Sequence, residues 1–212
     1  MRHYDSIKRI QDDKTLLGEC VWAFNKLDGQ NLGVKWTPKD GFAVFCSRKR
    51  ILSTDDEQFG NAIAYFKDHV EEPLLKIIQN EKALQVKEAM YFFEWFGPNS
   101  FAGVHQEGDT MQLALIDVFR KQKGYIEPEE FYNIFGLNPE ILTPELIYKG
   151  ELNEEFIEDI QNGKYQTVKE GVVCRRDTML KGQRMPKVKI KTKQWVEKVH
   201  SIYPPEMWDD LE

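Results

Sequence analysis

The sequence predicts an α+β domain built on antiparallel sheets. Short apolar runs of strand length recur along the chain, and helical stretches interrupt them irregularly instead of alternating with them one for one. The two common phosphate loops of parallel-sheet folds, GxGxxG and GxxxxGK[ST], are absent.

Residues 19–26 (ECVWAFNK) and 31–36 read as two strands around "LDGQ", because Asp-Gly between apolar runs is a hairpin signal. Residues 41–48 (GFAVFCSR) form a third strand. Between 55 and 81, Phe59, Ile63, Phe66, Val70, Leu74 and Ile78 recur every three or four positions. That spacing predicts an amphipathic helix, interrupted near Pro73. Residues 83–97 (ALQVKEAMYFFEWFG) and 111–120 (MQLALIDVFR) read as buried strands. Five aromatics at 91–96 predict core on one side of the first and pocket wall on the other. Residues 127–136 and 143–163 read as short helices, with Pro128 and Pro144 near their starts. Residues 168–176 (VKEGVVCRR) and 187–195 (KVKIKTKQW) complete the strands.

The bulk numbers exclude several classes. A chain of 212 residues, 41% hydrophobic and 12% aromatic, can bury a sizeable core and is not disordered. A single domain spanning 1–212 is expected. Net charge is −6, so nucleic-acid contact requires a local basic face. The stretch Lys181–Lys198 offers one, with Lys181, Arg184 and Lys187 as candidate phosphate contacts of a second substrate. Acidic residues gather at Glu127–Glu158 instead. Cys20, Cys46 and Cys174 stand apart with no CxxC, which argues against structural zinc or a disulfide framework. No run nears 18 apolar residues and the N-terminus is no signal peptide, so a cytoplasmic setting without a membrane is expected.

Lys26 is an unusual residue to place at the edge of a tight turn. Alone, "KLDG" reads as a surface lysine beside a hairpin, Glu170 as a solvated strand residue, and Lys189 and Lys191 as the exposed side of a strand. His105 reads as a loop histidine with no nucleophile beside it. In order along the chain, however, stand Lys26-Leu27-Asp28-Gly29, Arg48 in "CSRKR", Glu94 in "YFFEWFG", Glu170 in "EGVV", and Lys189 and Lys191 in "KVKIK". This series resembles the covalent nucleotidyltransferases, the polynucleotide ligases and mRNA capping enzymes. Within them it is most similar to RNA ligases of the phage RNA ligase 2 type, over roughly Glu19 to Lys198.

The resemblance implies a nucleotidyltransferase (ATP-grasp-like) domain of two antiparallel sheets flanked by helices, with the nucleotide in a cleft between them. It implies an ATP-dependent RNA ligase that joins 3′-hydroxyl and 5′-phosphate ends through lysyl-AMP. A lysine amine suits that role, since it forms a labile P–N bond, and neighbouring cations with partial burial are expected to lower its pKa. By the same resemblance Glu170 would bind Mg²⁺ (or Mn²⁺), and Lys189 and Lys191 would hold the α-phosphate. Asp28 and Gly29 would make the turn that leaves room for the nucleotide. Glu94 would bind the ribose, and Arg48 the ribose or the incoming 5′-phosphate, with Lys49 and Arg50 as register alternatives. Asn25 and Ile116 would line the adenine pocket. Three positions depart from the family pattern. Asn25 stands where Glu is usual, Phe93 where Gly precedes the acidic residue, and Ile116 where an aromatic stacks on the base.

Only 21 residues follow Lys191, which resembles a bare catalytic domain without a C-terminal OB or helical domain. End-joining would then draw on RNA or nicked nucleic acid together with an accessory protein or a homodimer. Two alternatives stay open: a small ATP-dependent DNA ligase or other polynucleotide adenylyltransferase, and a non-catalytic nucleic-acid end-binding protein.

Overall fold

The computed structural model describes residues 2–98, 110–179 and 185–208. Two sheets organise them. The first runs β1 (Lys8–Arg9), β11 (Lys187–Lys191), β10 (Gly171–Arg176), β2 (Cys20–Asn25), β9 (Leu146–Glu151). Its neighbours are antiparallel except β1, which lies parallel to β11. The second runs β5 (Ile51–Leu52), β4 (Gly41–Cys46), β3 (Gly29–Thr37), β6 (Ala89–Phe96), β7 (Gln112–Arg120), β8 (Gly124–Tyr125), antiparallel throughout. This is the predicted α+β class, two sheets with helices at their flanks.

Alternation along β6 gives the second sheet two different faces. Tyr91, Phe93 and Trp95 enter the main core with Leu32, Val34 and Leu115. Helices α1 (Gly60–Tyr65) and α2 (Glu71–Asn80) close that core with Ile63, Leu74 and Ile78, and α3 (Pro128–Phe131) adds Phe131. Phe66, fully buried, packs edge-on against Phe42, Phe45 and Phe93 at centroid distances of 5.2, 5.6 and 5.5 Å. Burying one such ring contributes about 1.5–3 kcal/mol. Phe92 and Glu94 face the opposite way, Phe92 with its ring centroid 5.0 Å from that of Tyr4. In the first sheet, Val21, Ala23, Val172, Cys174, Val188 and Ile190 lie under α4 (Glu154–Gln161), which supplies Phe156, Ile157 and Ile160. Asn153 caps α4 by accepting the Phe156 N–H. The remaining faces of the two sheets meet at a cleft.

Several local expectations are corrected. The Asp28-Gly29 turn does not close a hairpin, because β2 and β3 belong to different sheets. Each edge of β2 is already paired, to β10 and β9, so the turn carries the chain across the cleft. Residues 146–151, expected as helix, form β9. The β-prone Leu-Ile-Tyr after Pro144 pairs with β2, and helix begins only at the Asn153 cap. Strand β11 stops at Lys191, where Thr192 caps α5 (Lys193–Ile202) and accepts the Trp195 N–H. The long helix is interrupted by a π-helical turn at Phe66–Val70 and not at Pro73. That turn resets the hydrogen bonding so that Pro73 falls in the first turn of α2, where a missing N–H is tolerated. Among the described residues no helix is long and apolar enough to cross a membrane.

Candidate active site

Three adjacent strands of the first sheet end at one place. Lys26 follows β2 directly, and its backbone N–H donates to the Gly171 carbonyl at 2.8 Å. Gly171 opens β10 with φ +151°, and a Cβ there would lie 2.0 Å from the Ile190 carbonyl oxygen. Only glycine allows β10 and β11 to approach this closely. Glu170 is thereby set beside Lys26, and the Thr192 N–H donates to the Glu170 carbonyl at 3.0 Å. Lys189 and Lys191, two apart on β11, share the face turned to the cleft.

These side chains form a charge cluster. Lys26 Nζ lies 2.7 Å from Glu170 Oε1, and Lys191 Nζ donates to the same oxygen. The other oxygen, Oε2, is buried with no partner. Burial is the largest influence on Lys26 and favours the neutral amine. The attractions of Glu170 and Glu94 outweigh it and hold the pKa above the ordinary lysine value. The expected lowering of the Lys26 pKa is therefore reversed, because Glu170 contacts the amine directly and, with Glu94, outweighs burial and the opposing charge of Arg48. Burial pushes Glu170 up, yet Lys26 and Lys191 outweigh it and hold the carboxyl below its usual value. Burial and the Lys26 charge push Lys191 down to about 7 and Lys189 down to about 8.

The second sheet supplies the opposite wall. Gly29 starts β3 so close to β6 that a Cβ would lie 2.3 Å from the Trp95 carbonyl oxygen. Asn31 pairs across strands with Glu94 and donates its side-chain amide to the Phe93 carbonyl at 3.1 Å. Glu94 is 6% exposed, and burial pushes its pKa up to about 7 against the pull of Lys26 and Arg48. Arg48, in the bend after β4, lines both ends of the cleft. The register alternatives Lys49 and Arg50 also border the polar part of the cleft, Arg50 with its guanidinium on both oxygens of Asp56, whereas Arg48 reaches both ends. Asp28 is buried and accepts a hydrogen bond from Trp195 Nε1 at 3.3 Å.

The cleft has a polar part of about 540 Å³, lined by Lys26, Asp28, Gly29, Arg48, Glu94, Glu170, Lys189 and Lys191 among others. A more apolar recess adjoins it, where Asn25 and Ile116 meet Phe24, Val173 and Arg175. The Asn25 side chain donates to the Thr167 carbonyl at 3.1 Å. All ten candidate residues thus border one continuous space. Among the described residues no three His, Cys, Asp or Glu side chains cluster around a cation site; of the cleft's carboxylates, Glu170 has an oxygen, Oε2, that is buried with no partner.

Other expectations fare differently. Lys187 is not open to a second substrate, because its ammonium is buried in an ion pair with Asp117 and lies over the rings of Tyr4 and Tyr125. Burial pushes its pKa down to about 8. Lys181, Arg184 and His105 lie outside the described residues. Sequence reasoning missed Tyr4, Ile7, Asn31, Arg175 and Trp195, all of which border the cleft. Tyr4 and Ile7 belong to a short N-terminal segment without periodicity. Arg175 stands four residues after Gly171 and two after Val173, on the cleft face of β10, and only that alternation could have found it.

The family model described as RNA ligase matches residues 19–192. Naegleria gruberi RNA ligase, in a mutant apo structure, superposes with a TM-score of 0.67 at 18% identity, covering 93% of this chain and 58% of that one. A mutant of the same ligase with ATP and Mn gives 0.65 at 18%, covering 94% and 57%. A protein of Aquifex aeolicus assigned as an ATP-dependent DNA ligase gives 0.67 at 19%, covering 100% and 57%. The likeness shows a shared fold, and this chain spans less than two thirds of the length of each. No curated protein matches it.

Proposed function

Because the chain belongs to the RNA ligase family, we propose that it is an ATP-dependent RNA ligase that joins 3′-hydroxyl and 5′-phosphate ends through AMP carried on Lys26. The arrangement that carries this reading is the Lys26 amine 2.7 Å from a buried carboxylate with one oxygen free, facing Lys189 and Lys191.

In the first step the Lys26 ammonium gives one proton to solvent, the nitrogen lone pair forms a bond to the α-phosphorus of ATP, and a second proton leaves the nitrogen to solvent as the P–N bond forms. The bridging P–O bond to the β-phosphate breaks, and pyrophosphate leaves with the electron pair. Glu170 holds the amine charged in the ligand-free protein. Release of that ion pair removes the main interaction favouring the charge, and burial then favours the neutral nucleophile. Lys189 and Lys191 hold the α-phosphate and offset the negative charge that grows on its oxygens. Glu94 accepts from the ribose hydroxyls, Arg48 reaches the ribose or the incoming 5′-phosphate, and Asn25 and Ile116 wall the base. Asp28 and Gly29 keep the turn beside the nucleotide narrow.

The unpartnered Glu170 Oε2 fits a hard divalent cation, and Glu170 would hold Mg²⁺ or Mn²⁺ here. When bound, such a cation neutralises phosphate charge. The similar fold of the Naegleria ligase with ATP and Mn supports this pairing. In the second step an oxygen of a 5′-phosphate attacks the AMP phosphorus, the P–N bond breaks, and Lys26 regains both protons. In the third, a 3′-hydroxyl attacks the activated 5′-phosphorus, AMP leaves, and the hydroxyl proton passes to solvent.

The test is a sealing assay with ATP and Mg²⁺ on 5′-phosphorylated nicks in RNA and in DNA. Sealed RNA with a transient adenylylated 5′ end, both lost in Lys26→Ala, is the expected result. Sealing that survives Lys26→Ala, or none with any nicked substrate, contradicts the proposal. Sealing of DNA alone moves the assignment to a DNA ligase.

A further inference from the structure

One buried side chain outside the set so far assigned touches two of its members. Trp195 sits in the first turn of α5, 3% exposed, packed on Val199. Thr192 fixes where that turn begins. Its hydroxyl donates to the Lys169 carbonyl at 2.7 Å and accepts the Trp195 N–H at 3.2 Å. Its own N–H holds the Glu170 carbonyl at 3.0 Å. From this anchored turn the indole reaches back into the cleft. Its Nε1 donates to Asp28 Oδ2 at 3.3 Å, and the Lys191 ammonium stands 3.4 Å from the ring centroid.

We propose that Trp195 is a positioning residue for adenylyl transfer, holding the Lys191 ammonium by its ring face and the Asp28-Gly29 turn by its N–H. The proposal rests on the lysyl-AMP reading above. Lys191 is a long flexible side chain whose carboxylate partner, Glu170, also contacts Lys26. A phosphate site needs that amine held still, and charged once phosphate is beside it. A second carboxylate would hold it but cancel the charge. An aromatic face holds it and leaves the positive charge free to act on phosphate. The N–H acts on the other side of the reaction. Asp28 is two residues from Lys26, so a fixed turn fixes the direction in which the nucleophile leaves β2. One ring therefore sets the relative positions of the attacking amine and a lysine that receives the phosphate charge.

Two variants separate these contacts. Trp195→Phe keeps a ring face and removes the N–H, whereas Trp195→Leu removes both. The measurement is the single-turnover rate of adduct formation on Lys26 at saturating ATP, with the ATP dissociation constant and the melting temperature taken in parallel. Trp195→Leu is expected to slow the saturated rate about 100-fold, the scale of a misplacement near 1 Å. The ATP dissociation constant is expected to move by less than about 3-fold, since the loss falls on the transition state. Trp195→Phe is expected to recover about 10-fold of that rate through the retained ring. Should Trp195→Leu not fold, Trp195→Met carries the same comparison. A Leu variant at the wild-type rate overturns the inference. So does a loss confined to ATP affinity or thermal stability, or a Phe variant as slow as the Leu variant. An absence of adduct in the wild-type protein fails the underlying reading instead, and the two failures are distinguishable.

Discussion

At the scale of single residues, the cleft works against the stability of the chain that builds it. Glu94 is buried beside like charge from Glu170 and Asp28, and its pKa stands at about 7 against an ordinary 4.5. Between those values the folded protein binds a proton that the unfolded chain has lost. This group's contribution therefore declines as pH rises from 4.5 to 7. Above pH 7 the whole penalty is present, at most about 3 kcal/mol for a shift of this size. Glu94→Gln should remove it. The variant is expected to melt higher than the wild type at pH 8 and at the same temperature at pH 4.5, while binding ATP more weakly. Melting curves at the two pH values, with a nucleotide titration, check both parts. A variant less stable than wild type at pH 8 contradicts this account of Glu94.

At the scale of elements, the site depends on how closely strands can approach. Gly171→Ala would put a methyl group 2.0 Å from the Ile190 carbonyl oxygen at a backbone angle that side chains avoid. We expect a loss of about 2–4 kcal/mol in denaturant melts, the range for steric and backbone strain at a special position. Adenylylation should be lost with it, since Lys26 bonds the Gly171 carbonyl. An Ala variant of wild-type stability contradicts the close-approach argument. Strand ends were legible in the sequence where chemistry marks them. Lys26, Glu94, Glu170, Lys189 and Lys191 each close or border an apolar run, and all reach the cleft. Pairing was less legible. Asp28-Gly29 has the composition of a hairpin turn, yet a turn's local preference does not choose the sheet each flanking strand joins. Residues 146–151 show the same limit, because an edge strand of mixed exposure lacks the alternation that distinguishes strand from helix. The β11-to-α5 transition at Thr192 was readable as a cap only once the strand's end was known.

At the scale of the whole molecule, the cleft belongs to neither sheet alone. The first sheet brings the nucleophile, the carboxylate and the phosphate lysines; the second brings Glu94, Asn31, Gly29 and the Arg48 bend. A chain of net charge −6 thus gathers Lys26, Lys189, Lys191 and Arg48 around one space, which makes it locally attractive to polyphosphate. The N-terminal segment ties the two halves together. Strand β1 pairs with β11 while His3 Nδ1 lies 2.8 Å from the Ser47 carbonyl oxygen. No local pattern of eight residues could have indicated that role, because its partners are 44 and about 180 positions away. The chemistry at the middle of this cleft reduces to one bond on one atom, Lys26 Nζ. Intact mass and peptide mapping after incubation with ATP, GTP or NAD⁺ and Mg²⁺ would read it directly, beside Lys26→Ala. A gain of one AMP with ATP alone, mapped to Lys26 and absent from the variant, is the predicted result. An adduct on another residue, or none in folded protein shown to be free of AMP beforehand, would contradict it.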